Sequence, residues 1–452
     1  MEHIPFFWVA LPTILLIYSP LTSTLDQNGH ICIIGGGISG LTIAAALQSK
    51  GYTNVDLYEA EKTLGGRIVT HRSTGSSRKS RVIETGPIAY YRSMTHTFRY
   101  MNELKITSIP YNNFDTSLFN PKSGVIFPKF EASAKLKAIV QEATNRYKKY
   151  WYELAPALEL GYTSPLFQSK LAALSTPIET WYNDRNLSLL LPILAGQFTA
   201  DGYGDVKDAP ILQALKPVVG DEAEAYFQIG GTPFQPLEGF DTFVTRVAGR
   251  KSPAGVTCSK TILAFPPLLR NLGVLVSDLS FAERRVLDQV KINKYAVSGV
   301  LITNLKRQTY TGFVPEIGLD FRRDEIPKII YPLGDGGPVM LVRQDKGDEV
   351  CYAAYSWIYG HYDSIAEGKE IETMAGRLNA TLKKMHPFAT TLFTRATEYF
   401  PHVTGESMRN GFYQDFDAIQ GNGGLYYATT LLSFETINGA IEMGEGLVEK
   451  YF

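Results

Sequence analysis

A glycine run, Gly35-Gly36-Gly37-Ile38-Ser39-Gly40, follows the apolar stretch Ile31 to Ile34 and opens a segment with an apolar stripe at Leu41, Ala44, Ala45 and Leu47. The stretch before the glycines reads as a buried parallel strand, and the segment after them as a helix that ends at Gly51. Each glycine has its own reason to be there. Gly35 permits the tight turn, Gly37 lets backbone approach a pyrophosphate, and Gly40 lets the helix pack closely on the strand. Val55-Asp56-Leu57-Tyr58 then reads as a second strand ending on Glu59. A carboxylate at that point accepts hydrogen bonds from both ribose hydroxyls of a dinucleotide and repels the 2′-phosphate of NADP. Glycine-rich turns alone are common, but strand, glycines, helix, strand and acid together fill the expected unit of about 30 residues. The alternative is a unit of the same shape that has lost its ligand.

The rest of the chain bounds the answer. With 452 residues, 44% hydrophobic and 20% charged, it can bury a large core and is expected to form two domains. The net charge is −1 and no basic run interleaves with aromatics, which argues against a nucleic-acid partner. The seven histidines are scattered without metal-ligand spacing, so no metal is expected, and no GxSxG nucleophile elbow occurs.

Residues Ile4 to Tyr18 are apolar and are followed by small residues at Thr22, Ser23 and Thr24, which reads as a secretory signal peptide over residues 1–24. An uncleaved anchor over residues 4–18 competes with it, although the run is short for a span, and this is the one place where membrane contact is expected. The sequons at Asn186 and Asn379 suit a secreted glycoprotein. Of the three cysteines, Cys32 lies in the buried strand, leaving Cys258 and Cys351 as a pair or as two free thiols.

Thr63-Leu64-Gly65-Gly66-Arg67-Ile68-Val69-Thr70 resembles the segment after the ribose acid in FAD-dependent amine oxidases and their relatives. Three other stretches are similar to the same superfamily: Glu84-Thr85-Gly86-Pro87, Lys260 to Pro267, and Gly424 to Ala428 with Ile437 to Gly444. Within it, Gly202-Tyr203-Gly204, Tyr399 to Val403 and Leu432 to Glu435 look like the branch that contains polyenoic fatty acid isomerases and cyclopiazonate-type dehydrogenases. The resemblance implies FAD as cofactor, held by Gly35, Gly37, Ile38, Ser39, Gly40, Glu59, Ala60, Gly65, Gly66, Arg67, Thr85, Gly86, Pro87, Thr429 and Ile437. It also implies that the last helix aims its N-terminus, near Glu435 to Ile437, at the flavin pyrimidine.

Three departures from the family pattern bear on the chemistry. Many amine oxidases place a lysine near the flavin in the strand that corresponds to Tyr295 to Ile302, where this chain has glycine or serine; Lys294 precedes the strand and reads as a solvated edge residue. The usual Gly-Glu after the C-terminal strand is Thr429-Thr430. Both argue against ordinary amine oxidation. The segment 248–260 is shorter than the adenine-contacting strand pair of the family, whether by real deletion or by a gap in the gene model, and its loss would weaken the hold on FAD.

The expected fold class is α/β: a Rossmann-like FAD-binding domain with a parallel sheet, made from 29–91, 237–290 and 420–452, and a mixed α+β substrate domain from 92–236 and 291–419. Helices are expected at Ala134 to Leu160, Pro165 to Leu174, Ile178 to Tyr182, Leu187 to Phe198 and Glu370 to Met385. Strands are expected at Ala296 to Thr303, Lys328 to Tyr331, Val339 to Val342 and Val350 to Ser356. Late aromatics, with Tyr427 foremost, are expected to wall the active site, and His402 to relay a proton; core packing competes for both.

The expected activity is hydride transfer between flavin N5 and an apolar or unsaturated substrate carbon. A double-bond isomerase of polyunsaturated fatty acids and a non-catalytic relative with impaired FAD binding are the alternatives.

Overall fold

A computed structural model describes residues 2–4 and 29–452, except 76–78, 112–114, 128–132, 221–222, 228–230, 248–257, 277, 304, 313, 316–328, 331–334, 345–348 and 359–368. Most of the expected leader, nearly all of the shortened segment at 248–260 and the two ends of the strand expected at Lys328 to Tyr331 therefore lie outside the described residues.

A five-stranded sheet carries the glycine run. Its order is Glu2–Ile4, Val55–Glu59, Ile31–Ile34, Lys260–Leu263, Leu425–Tyr427, and the last four strands are parallel. The register sets Ile34 beside Tyr58 and Leu263, and Tyr427 beside Leu263. All four parallel strands therefore end on one edge, which is where open α/β sheets bind ligands. Glu2–Ile4 runs antiparallel to Val55–Glu59 at the outer edge. Cleavage of a leader would leave that edge open.

The strand Ile31–Ile34 is apolar because it is covered on both faces, and the Ile38–Ser49 helix packs against it and against the C-terminal Ile437–Tyr451 helix. Gly40 makes the close approach possible: a Cβ there would lie 2.0 Å from the Gly35 carbonyl oxygen. Cys32 forms a disulfide with Cys258, with Cα atoms 5.8 Å apart. This corrects the expected pairing. Ile31 lies opposite Lys260, and Cys258, two residues before that strand, reaches Cys32, while Cys351 is a free thiol buried in the other sheet. Burial pushes the Cys351 thiol up to about 11.

The second sheet has six strands in the order Thr390–His402, Lys291–Leu301, Cys351–Ile358, Asp335–Gln344, Thr309–Gly312, Thr116–Phe119, antiparallel except for the last pair. Helices Ala134–Glu159, Pro165–Leu174, Ile178–Asp184 and Leu191–Ala200 form a separate layer around Tyr147, Trp181, Tyr182 and Phe198. Ser133 and Ser164 cap the first two of these helices through their side chains. The helix expected at Leu187 begins instead with a 3-10 turn, Ser188–Leu190, because Pro192 suits only the first turn of the α-helix that follows.

Candidate active site

One cavity of about 1720 Å³ runs from the C-terminal edge of the parallel sheet to the face of the six-stranded sheet. Its first half is built by the front motif. Glu59 closes its strand with both carboxylate oxygens held by backbone: Oε2 accepts from Gly36 N at 2.7 Å and Oε1 from Glu61 N at 2.9 Å. The acid is thus fixed in orientation at the mouth of the glycine turn.

The helix Ile38–Ser49 starts at Gly37 without a side-chain cap and with no acidic residue in its first turn. Its first N–H groups and the positive end of its dipole therefore have no anion of their own. A Cβ at Gly37 would meet no atom within 4 Å, so this is open space beside the cavity. A bare helix terminus, a glycine facing open space and an oriented acid one strand away fit a dinucleotide's pyrophosphate and ribose.

Of the fifteen residues expected to hold the cofactor, fourteen line this cavity; Gly40 does not, and serves the helix packing behind it. The structure brings Gly65, Gly66 and Arg67 to Gly35, Gly37 and Glu59 through the bridge Gly37 to Gly65 and the bond from Gly65 N to Gly36 O at 2.8 Å. Arg67 lines the cavity with a partner of its own. Its guanidinium is paired with the buried Glu435 carboxylate and lies over the Tyr399 ring at 5.4 Å, so it already has an anion. Glu435 also accepts from Thr430 Oγ1 at 2.5 Å. The cleft therefore has an acid from a position that sequence comparison did not single out as one. Glu435, Thr436, Ile437 and Ala440 bring the start of the last helix to the cavity wall.

The second half of the cavity is aromatic. Tyr295 and Tyr399 stack with centroids 4.6 Å apart, Tyr203 continues the stack at 6.1 Å from Tyr399, and Tyr355 lies 5.9 Å from Tyr295. These rings come from three strands and from the turn at Gly202-Tyr203-Gly204. Both of its glycines have left-handed φ, at 81° and 117°, and a Cβ on Gly202 would sit 2.9 Å from the Tyr295 ring. Asn293 Nδ2 donates to Gly202 O at 2.8 Å and fixes the turn.

Two expected catalytic residues are elsewhere. Tyr427 is fully buried in the helical core, and its hydroxyl donates to Glu283 Oε1 at 2.9 Å. Tyr427 ends its strand on the side facing the core helices, while the backbone beyond it, Ala428 to Thr430, turns to the cavity. His402 is also off the cavity; it stacks on Phe400 and bonds through Nδ1 to Phe400 O at 2.7 Å, and burial holds its pKa below the usual range. From the strand Lys291–Leu301 the residues facing the cavity are Tyr295 and Val297, in place of the glycine or serine expected there. Gly299 packs instead against Phe393, and Ser298 bonds Thr394 at 2.9 Å. Lys294 lies inside this strand, near Glu370 and Glu398.

The residue missed by sequence reasoning is Asp201. It lines the cavity among the tyrosines, and burial pushes its carboxyl up to about 7. The available signal was its place beside the Gly202-Tyr203-Gly204 turn. Among the described residues there is no group of three or more potential metal ligands, and no helix is long and apolar enough to cross a membrane.

Residues 38–179 match the family model described as flavin containing amine oxidoreductase. A polyenoic fatty acid isomerase from Ptilota filicina is 24% identical over 221 residues, covering 44% of this chain and 43% of that protein. A tryptophan 2-monooxygenase from Pantoea agglomerans pv. gypsophilae is 29% identical over 125 residues, 25% of this chain and 21% of that one. The chain thus spans less than half the length of these curated relatives. Among solved structures, a CLA-producing fatty acid isomerase from P. acnes superposes with a TM-score of 0.71 at 15% identity, over 95% of this chain and 100% of that one. Cyclohexylamine oxidase from Brevibacterium oxydans gives a TM-score of 0.60 at 16% identity, over 93% and 98%. The fold is that of FAD-dependent amine oxidases, and FAD is the dinucleotide that the family match and the cleft indicate.

Proposed function

We propose that the chain is an FAD-dependent oxidoreductase that exchanges a hydride with a carbon of an apolar or unsaturated substrate. The observation that carries this is the size and division of the cavity. At about 1720 Å³ it exceeds the roughly 300–1,000 Å³ of a single-ligand pocket, and an apolar aromatic chamber continues from the nucleotide groove. Bound there, FAD supplies a two-electron acceptor.

The protein's own share is position and environment. Glu59 accepts the ribose hydroxyls, the Ile38–Ser49 helix receives the pyrophosphate on its free N–H groups, and Gly65 and Gly66 keep side chains out of the groove. Arg67 pairs with Glu435 beside the Tyr399 ring. Tyr203, Tyr295, Tyr355 and Tyr399 shape an aromatic chamber for an apolar chain. No cavity-facing lysine stands on the strand Lys291–Leu301, which supports a carbon substrate over an ordinary amine.

The same site is compatible with double-bond isomerisation, in which the hydride returns to another carbon of the same molecule. That reading is favoured by the likeness in fold to the P. acnes isomerase over 95% of the chain. An absorption spectrum followed by anaerobic titration with unsaturated lipids decides between them. Bleaching that persists until O2 is admitted supports oxidation, and product formation without net O2 uptake supports isomerisation. Protein that stays colourless after incubation with FAD refutes both and leaves a non-catalytic relative.

Passage through the secretory pathway belongs to the same proposal. Supporting it are the apolar N-terminal run, exposed sequon residues Asn186 and Asn379, and the Cys32–Cys258 disulfide, a bond favoured by oxidising compartments. Glycosidase-sensitive mobility of the protein from its native source is the check.

A further inference from the structure

Among the described residues three cations line the cavity, Arg67, Lys137 and Arg395. Arg67 is paired with Glu435, and Lys137 is exposed near the start of the helix Ala134–Glu159, in the helical layer. Arg395 comes from the six-stranded sheet, on the strand Thr390–His402. Arg395, Thr397 and Tyr399 stand at alternate positions of that strand and all line the cavity, so one of its faces runs from the nucleotide groove to the aromatic chamber.

The half-buried Arg395 side chain ends in the groove. Its Nη2 donates to Gly66 O at 2.9 Å, and Gly66 lies against Gly37, so that a Cβ on Gly66 would stand 3.3 Å from the Gly37 Cα. Gly37 is the residue from which the helix Ile38–Ser49 starts. Among the described residues no carboxylate lies within ion-pair distance of Arg395. Glu61 attracts it only from farther away, and Glu59 gives both its oxygens to backbone. Burial and the neighbouring Arg67 lower the Arg395 pKa, as they do for a cation short of negative charge.

The rest of this guanidinium has no use within the protein. It carries five N–H donors in a planar fork, of which Gly66 O takes one. With the uncapped start of the helix Ile38–Ser49 close by, the groove holds donors and positive charge from two separate elements and lacks the anion that would complete them.

We propose that Arg395 is a phosphate-binding residue of the cofactor site, its guanidinium taking the dinucleotide's pyrophosphate together with the first N–H groups of the helix Ile38–Ser49. The anion then joins a strand of the six-stranded sheet to the glycine turn of the five-stranded one, so cofactor occupancy fastens the two sheets to each other at the groove. This deepens the oxidoreductase reading and rests on it for FAD as the ligand.

The test uses the full chain freed of flavin, with the melting temperature of each variant taken first to establish that it folds. Calorimetric titration with FAD, ADP-ribose and riboflavin separates the pyrophosphate from the ring, because ADP-ribose has the pyrophosphate without the flavin and riboflavin has the flavin without phosphate. Arg395→Gln should weaken FAD and ADP-ribose by the same factor, at least tenfold, and leave riboflavin within twofold. Arg395→Lys keeps the charge without the fork and should lose about threefold for both pyrophosphate ligands, which carries the comparison if the glutamine variant does not fold. Wild-type affinity for ADP-ribose in the variants, a loss confined to FAD, or an equal loss for riboflavin overturns the proposal. A wild type that binds neither FAD nor ADP-ribose overturns the oxidoreductase reading, and the phosphate assignment falls with it.

Discussion

Asp201→Asn should make the protein more stable, and the gain should grow with pH. Burial disfavours the charge of this carboxyl and pushes it up to about 7 in the folded protein, against 3.8 for an aspartate in water. A folded pKa above the unfolded one means that the folded state binds the extra proton. The stabilising effect of that proton is complete below pH 4 and is lost as pH rises through 7. Three pH units at 1.36 kcal/mol each give a penalty of about 4 kcal/mol at pH 8 as an upper limit, since the carboxyl faces a cavity that water reaches. At pH 5 the penalty is only about 1.6 kcal/mol by the same rule. Asparagine keeps the shape and cannot ionise, so its advantage over the wild type should widen by about 2 kcal/mol between pH 5 and pH 8. Urea denaturation of the ligand-free protein, followed by tryptophan fluorescence at the two pH values, measures this. A variant whose advantage is the same at both, or that is less stable than wild type at pH 8, refutes the claim that Asp201 is an uncompensated interior carboxyl.

Other perturbations address the nucleotide half. Glu59→Ala removes the acceptor for the ribose hydroxyls and should raise the FAD dissociation constant at least tenfold, about 1.5–3 kcal/mol, in a flavin fluorescence titration; unchanged affinity would contradict the ribose assignment. Gly40→Ala sets a Cβ against the Gly35 carbonyl at 2.0 Å, and should cost about 1–3 kcal/mol of stability along with flavin retention, read from melting temperature and absorbance. Cys258→Ser opens the tie to Cys32 and should cost about 2–4 kcal/mol, a loss that reducing agent reproduces in the wild type and does not add to in the variant.

What the sequence disclosed is the part of the site that is local in the chain. Strand, turn, helix and acid from Ile31 to Glu59 each leave a mark in residue type because their geometry demands it: apolar residues for a covered strand, glycines for a turn against a neighbouring backbone, a carboxylate at a strand end. Long helices were equally legible; Ala134–Glu159 and Glu370–Met385 show their apolar stripes. The strand Thr390–His402 left no such mark. Most of its residues are only partly buried on either face, so apolar and polar residues do not alternate. The Cys32–Cys258 bond was hidden because it depends on Lys260–Leu263 lying beside Ile31–Ile34, a non-local fact. Tyr427 misled for the opposite reason. Its segment does reach the cavity, but strand alternation turns this one side chain to the other face, toward Glu283.

The substrate half illustrates why such chambers resist reading from a single chain. Its rings arrive from the 201–204 turn and from strands that begin at Lys291, Cys351 and Thr390, so no window of sequence contains the cluster. Its charge balance is also collective. Arg67 and Glu435 come from opposite ends of the chain and pair beside Tyr399, while burial alone raises the Asp201 carboxyl. The Arg67–Glu435 pair stands beside Tyr399, which also feels the charge of Asp201, so one ring adjoins both the cofactor's surroundings and the substrate's.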